Sequence, residues 1–322
     1  MDRRHATGIA LVLASAAGFG SGSLFAQPVY QAGANWLVLS AWRFLFGAGL
    51  TWAFLLLSAE RRRGLRALDR GAAIAAAALG LLYLGNSGTY FAGLETVSPS
   101  LAALIVYLYP ALVAVLSLRF GRRLQGRRAW LALVIALAGV VLAVGGIDPS
   151  VAPPLGGLLL ILASPVIYTV WIVLSARLSG ERRDAVGHEA SGGASATAAT
   201  ALMMSATAAA YWLLALATGQ AVLPTQVPDT AWYGLAGVGV MSTFIAIQTF
   251  YAGAQRVGAA QAALISTVEP IWTIALAALL FGIGLTPVQL AGGALIILGV
   301  LVAQTGPAAE RAPGPAVRVA DE

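Results

Sequence analysis

The sequence predicts an all-α integral membrane protein of ten transmembrane helices, arranged as two inverted five-helix repeats around a central cavity. Three observations carry that prediction. Apolar residues make up 59% of the 322 positions and charged residues only 10%, whereas a soluble domain carries roughly a quarter charged and under half apolar. The apolar residues are gathered into separate runs of crossing length. A stretch of the first half recurs, offset by 160 residues, in the second.

The runs lie at 8–28, 36–57, 71–93, 99–118, 129–146, 155–175, 196–217, 231–252, 259–281 and 288–304. A crossing needs about 20 apolar residues to span a core of about 30 Å, so ten of them occupy roughly two thirds of the chain. Polar punctuation is thinnest near 93–99 and 255–259. Fusing the runs there would give segments of more than about 40 residues, too long for one crossing. Gly33, the segment Asp148 to Pro154, Pro224 with Pro228, and Gly284 with Pro287 mark turns. The stretch at about 177–195 mixes charge with Ser and Gly and reads as a mobile cytosolic loop, and 306–322 reads as a disordered cytosolic tail. The two repeats are accordingly expected at 1–147 and 148–305.

All 19 basic residues are Arg, clustered between the apolar runs. That is a pattern of membrane orientation rather than of nucleic-acid binding. With the N-terminus in the cytosol, every Arg except Arg43 falls in a cytosolic segment, and the opposite loops hold none. The expected location is the cytoplasmic (inner) membrane, with both termini in the cytosol. Arg3 and Arg4 ahead of an apolar run resemble a signal peptide. Part of that segment recurs inside the chain, which is the reason to read it as a retained helix. There is no Cys, hence no disulfide or thiolate chemistry.

Under the 160-residue offset, Thr89–Pro110 aligns with Thr249–Pro270, and Thr, Ala, Gly, Val, Ala, Ala, Leu, Ile and Pro coincide. Gly139 and Val140 match Gly299 and Val300 at the same offset. Gly8, Leu11, Leu13, Ala14 and Ser15 match Gly157, Leu160, Leu162, Ala163 and Ser164 at a slightly shorter one. Charge tests the similarity independently. A five-helix unit re-enters from the opposite side, so equivalent loops must face opposite compartments. The loop from Arg119 to Arg128 holds five Arg, and its counterpart from Leu280 to Pro287 holds none. Inverted repeats with a midplane site between them are a recurring plan of secondary transporters.

The ten runs, the Trp42-Arg43-Phe44 sequence on the second, the run holding Pro110 and the Glu269-Pro270 pair resemble the EamA family of the drug/metabolite transporter superfamily over about residues 8–304. The resemblance implies a helix bundle around a central cavity that moves small metabolites such as amino acids, or drugs, often outward. It fixes no substrate. The expected function is secondary transport of small organic solutes by alternating access, with export of amino acids or related metabolites foremost.

Charges at membrane depth are scarce and face a cavity or a partner. Only Arg43 and Glu269 lie clearly inside apolar runs. Either they contact a solute, Arg43 meeting a carboxylate and Glu269 meeting an amine or carrying a proton, or they pair with each other or with backbone, or Arg43 snorkels to the interface. Pro110 and Pro270 occupy equivalent places; each removes a backbone donor and frees a carbonyl about one turn earlier. Helices broken at corresponding places point to a binding site, while packing alone also tolerates proline. Trp42, Tyr107, Tyr109 and Trp272 are the aromatic candidates to line the cavity, among Tyr83, Tyr90, Tyr168, Trp171 and Tyr251; Trp36, Trp130 and Trp232 lie near run ends as interface anchors. Asn86, Gln248 and Thr267 are deep polar residues that either line the cavity or join helices by hydrogen bonds. Around Ser21, Gly18, Gly20 and Gly22 serve flexing or close packing.

His5 and His188 are far apart, and neither an HExxH metal motif nor a Walker phosphate loop occurs. No enzyme activity, cofactor or metal is expected. The partners expected are a small-molecule solute and the lipid bilayer, with proton coupling through Glu269 as a narrower possibility. A passive channel and a non-transporting membrane scaffold are the alternatives from other classes.

Overall fold

The computed structural model describes residues 3–118, 126–145, 153–178, 192–257, 262, 265–266, 268–282 and 284–304, and among these the regular elements are helices. The helices are α1 (Arg3–Gly20), α2 (Gly22–Gln31), α3 (Trp36–Leu56), α4 (Ala59–Arg66), α5 (Arg70–Gly93), α6 (Pro99–Val106) and α7 (Tyr109–Leu118), followed by α8 (Gly126–Gly145), α9 (Leu155–Leu178) and α10 (Gly192–Ala217). After a 3-10 turn at Asp229–Ala231 come α11 (Trp232–Gly237), a π-helical segment (Val238–Ile245), α12 (Ala246–Val257), α13 (Val268–Phe281) and α14 (Pro287–Gln304). Six stretches are long and apolar enough to cross a membrane: Arg3–Gln31, Trp36–Leu56, Arg70–Gly93, Leu155–Leu174, Thr197–Ala217 and Asp229–Ala254. Four shorter apolar helices, Pro99–Val113, Trp130–Ala143, Val268–Phe281 and Pro287–Val302, meet the other runs. The expected tail at 306–322 and the middle of the expected loop, 179–191, lie outside the described residues; helix occupies both ends of that loop, up to Leu178 and from Gly192.

Hydrocarbon offers no partner for a bare backbone group, so helix ends need local satisfaction. Asn35 accepts from the N–H groups of Leu37 and Val38 at 3.1 and 3.0 Å and starts α3. Asp69 accepts from Ala72 at 2.8 Å and starts α5. Gly33 turns α2 into α3 at φ +85°, the left-handed region that glycine enters without a Cβ penalty.

Three features are not read from apolar runs. The basic stretch after α3 is itself helical: α4 packs against α10, and Arg61 lies 3.6 Å over the Phe54 ring while its guanidinium donates to the Phe54 carbonyl. The first segment is broken at Ser21, whose hydroxyl donates back to Ala17 O at 2.7 Å. The π-helical segment interrupts the stretch between Asp229 and Ala254.

Packing follows the repeat. A Cβ on Gly93 would stand 2.6 Å from Ile161 and 3.0 Å from the Gly157 carbonyl; one on Gly253 would stand 2.6 Å from Val12 and 2.9 Å from the Gly8 carbonyl. These are the partners that the two sequence offsets pair. Likewise, a Cβ on Gly139 would meet Gly292 O at 2.6 Å and one on Gly299 would meet Ala132 O at 2.8 Å. Ser15 donates to the Ala246 carbonyl at 2.7 Å, and Ser164 donates to the Asn86 side-chain oxygen at 2.8 Å. Small residues let membrane helices approach to backbone contact, which replaces the hydrophobic drive that lipid removes. The result is an exchange between halves: α1 packs on α12, and α9 packs on α5.

Candidate functional site

Two broken helices meet across the boundary between halves. In the first, α6 ends at Val106, Tyr107 and Leu108 form a turn, and α7 begins at Tyr109 with Pro110 second. In the second, Ser266 is a turn and α13 begins at Val268 with Glu269 and Pro270 in its first turn. Pro270 has no N–H to give the Ser266 carbonyl. That carbonyl instead accepts the backbone N–H of Glu269 at 3.0 Å and the hydroxyl of Tyr107. The same hydroxyl stands 3.0 Å from Glu269 Oε2. The buried Tyr107 thus joins the break of one half to the carboxylate of the other.

The first segment closes the second side of this junction. A Cβ on Gly20 would lie 2.9 Å from the Glu269 carbonyl, Thr273 donates to Gly20 O at 2.9 Å, and Trp272 Nε1 donates to Ser21 Oγ at 3.1 Å. Close packing is what these glycines provide.

Arg43 is 6% exposed. Its Nε donates to Thr243 Oγ1 at 2.8 Å, and its guanidinium carbon stands 4.9 and 4.7 Å from the ring centres of Phe44 and Phe91, within cation–π range. Thr243 in turn donates to Val238 O five residues back at 3.0 Å, a spacing that the π-helical segment creates. Such segments are frequent at functional sites. Among the described residues no salt bridge joins Arg43 to Glu269; each is held by its own neutral partner.

Both charged side chains face one cavity of about 480 Å³, a size that accommodates a small organic molecule. An unbroken aromatic wall connects them. Tyr107 meets Tyr109 at 5.8 Å between ring centres, Tyr109 meets Tyr168 at 4.9 Å, Tyr168 stacks on Trp171 at 5.6 Å, Trp171 meets Tyr83 at 5.3 Å, and Tyr83 meets Phe44, beneath Arg43, at 5.9 Å. Asn86, whose oxygen takes the Ser164 hydroxyl, lines the same space.

Of the residues singled out in the sequence, Arg43, Asn86, Tyr107, Tyr109 and Glu269 are brought together here. Pro110 and Pro270 lie in the helices that carry Tyr109 and Glu269. Three lie apart from the lining. Trp42 is buried among Phe46, Trp212 and Trp232, with ring centres 5.6, 5.2 and 4.7 Å away, and donates to Val222 O at 3.0 Å. Trp272 is on the partly exposed face of α13 beside Ser21. Gln248 buries its amide nitrogen away from the cavity, with no hydrogen-bond partner among the described residues. Thr267 lies outside the described residues. The lining also takes in Ser23, Ser242 and Thr243. Ser242-Thr243, a polar pair inside the apolar run 231–252, carries the kind of signal that identified Asn86. Among the described residues no group of His, Cys, Asp or Glu is placed to hold a metal ion.

Residues 6–145 and 155–305 each match the model of the EamA-like transporter family. The chain is 28% identical over 305 residues to YcbK, an uncharacterized transporter of Bacillus subtilis (strain 168), covering 92% of this chain and 93% of that one. It is 26% identical over 272 residues to YyaM, an uncharacterized transporter of the same organism, covering 82% and 83%. A solved crystal structure with 22% identity superposes at a TM-score of 0.62, covering 93% of this chain and 96% of that one, a likeness of fold.

Proposed function

Because the chain belongs to the EamA-like transporter family and is a multi-pass membrane transporter, we propose that it carries small zwitterionic metabolites, foremost amino acids, outward across the cytoplasmic membrane by alternating access. The observation that carries this proposal is the pair of opposite charges, Arg43 and Glu269, facing one cavity without neutralising each other. A solute carboxylate pairs with Arg43 and its amine with Glu269, while the aromatic wall covers the body between them. The paired charges of the solute supply what burial of each protein charge otherwise lacks.

In this proposal the six long and four shorter apolar helices make ten crossings in two inverted repeats, 1–147 and 148–305, with both termini in the cytosol. The matched contacts of Gly93 with Gly253, Gly139 with Gly299 and Ser15 with Ser164 support it. The two breaks beside Pro110 and Pro270 flank the cavity as the flexible points of the two halves. Proton coupling runs through Glu269, which a proton and a solute amine occupy in turn.

Counterflow in proteoliposomes tests the whole scheme. Exchange of labelled amino acids should be supported by the purified protein, accelerated by solute on the far side, and lost in Arg43→Met and Glu269→Gln. Flux that is indifferent to solute on the far side would show a passive pore instead. For coupling, net transport of wild type should vary with pH and that of Glu269→Gln should not.

A further inference from the structure

The Tyr107 hydroxyl faces two acceptors with one proton. It reaches the Ser266 carbonyl and, at 3.0 Å, Glu269 Oε2. A phenol donates a single hydrogen bond, so the proton on Glu269 decides where it goes. With Glu269 protonated, the carboxyl O–H donates to Tyr107 Oη and the Tyr107 proton serves the Ser266 carbonyl, satisfying all three oxygens. When that proton leaves to solvent through the cavity, the carboxylate becomes the stronger acceptor. The phenol O–H then rotates toward it, and Ser266 retains only the Glu269 N–H at 3.0 Å.

We propose that Tyr107 is a positioning residue that reports the occupancy of Glu269 to the break preceding α13. A proton on Glu269, or the ammonium of a bound solute pairing with its carboxylate, returns the Tyr107 hydroxyl to Ser266 and stitches the turn after α6 to the start of α13. The empty, ionised carboxylate releases the stitch. This deepens the transport proposal, on which its solute half rests. The proton half stands on the geometry alone. Among the described residues, the ionisable groups facing Glu269 are Tyr107 at the end of α6, Tyr109 on α7, Tyr90 on α5 and Tyr168 on α9, with Arg43 across the cavity. From the first segment, whose α1 and α2 also pack on α13, Gly20 at the end of α1 and Ser21 at the break face this junction. A tyrosine ordinarily gives up its proton only at about pH 10, so below that the carboxyl of Glu269 is the group on this junction whose proton count changes.

Hydrogen exchange of the full chain in lipid nanodiscs tests the relay without any solute. Protection of the segment 268–275, corrected for intrinsic rates, is followed from about pH 3 to about pH 9 in wild type, Glu269→Gln and Tyr107→Phe, a window that brackets the ordinary carboxyl range. Wild type should lose protection about three- to tenfold as pH rises, the change expected of one hydrogen bond. Glu269→Gln, whose amide donates to Tyr107 as a protonated carboxyl does, should stay protected throughout. Tyr107→Phe should be flat and low. A pH response that survives in Tyr107→Phe, or a flat wild type, overturns the relay. If Tyr107→Phe does not fold, the acid-minus-alkaline infrared difference of wild type decides: loss of a carboxylic-acid band must come with a shift of the tyrosine C–O band, and both must vanish in Glu269→Gln. A carboxyl change with no tyrosine shift overturns the relay. Failure of every amino acid in counterflow would sink the transport proposal and leave this exchange result standing, so the two fail separately.

Discussion

The two broken helices occupy equivalent places in the repeat and carry different chemistry. At the first break Tyr109 precedes Pro110; at the second, 160 residues on, Glu269 precedes Pro270. Where the halves agree, as at Gly93 and Gly253 or Gly139 and Gly299, the shared residue has a packing duty that backbone approach enforces. At two positions where they disagree the cavity is involved: Tyr109 and Glu269 both line it, and Asn86 lines it where the equivalent Ala246 offers only its carbonyl to the matching hydrogen bond. Repetition supplies these packing contacts, and at these two positions departures from it put polar groups on the cavity.

The sharpest way to break this comparison is to alter the two equivalent residues in parallel. In the proposed scheme Glu269→Gln removes the carboxylate that meets the solute amine, and losing one partner of a hydrogen-bonded charge pair costs about 2–5 kcal/mol. Counterflow of an amine-bearing solute should fall by about 30-fold or more. Tyr109→Phe removes a hydroxyl and keeps the ring that packs on Tyr107 and Tyr168, so the same flux should fall no more than about threefold. Equal losses at the two positions would mean that the carboxylate has no special role.

The matched glycines come next. A Val at Gly139 or at Gly299 would drive its Cβ to within 2.6 or 2.8 Å of a backbone carbonyl, and backbone cannot step aside as a side-chain end can. Each substitution should destabilise by about 1–3 kcal/mol, read as a fall in the unfolding midpoint in lipid nanodiscs. The two should be similar in size, because each drives a Cβ onto a backbone carbonyl of the facing helix in the same interface. A large effect at one and none at the other would break the packing equivalence of α8 and α14.

Much of this scaffold is legible in the sequence. The apolar runs fix where helices lie, and the offsets that align Gly8 with Gly157 and Gly93 with Gly253 pair residues that then make matching contacts. The site is legible only in part, for a physical reason. In a bundle surrounded by lipid both the core and the outer face are apolar, so a helix carries little periodic signal of which side faces inward. Depth therefore identifies Arg43 and Glu269, whose charge has no comfortable place in lipid, but it cannot separate Tyr107 in the cavity wall from Trp42 in the aromatic cluster or Trp272 beside Ser21. The π-helical segment Val238–Ile245, which carries Thr243 to Arg43 and packs against α3, has no proline that announces it within its apolar run.

The smallest expected effects probe the serine pair. Ser15 and Ser164 are equivalent by sequence and make equivalent bonds, but one acceptor is a backbone carbonyl and the other the side chain of Asn86. Hydrogen bonds between membrane helices average about 0.6 kcal/mol, so Ser15→Ala and Ser164→Ala should each lower stability by about that amount. Asn86→Ala in the Ser164→Ala background should cost little further stability, since the bond is already gone, yet it should weaken transport through the cavity that Asn86 lines. If the second substitution instead destabilises by as much as the first, Asn86 holds the bundle through contacts other than Ser164. Its difference from Ala246 would then belong to the scaffold rather than to the site.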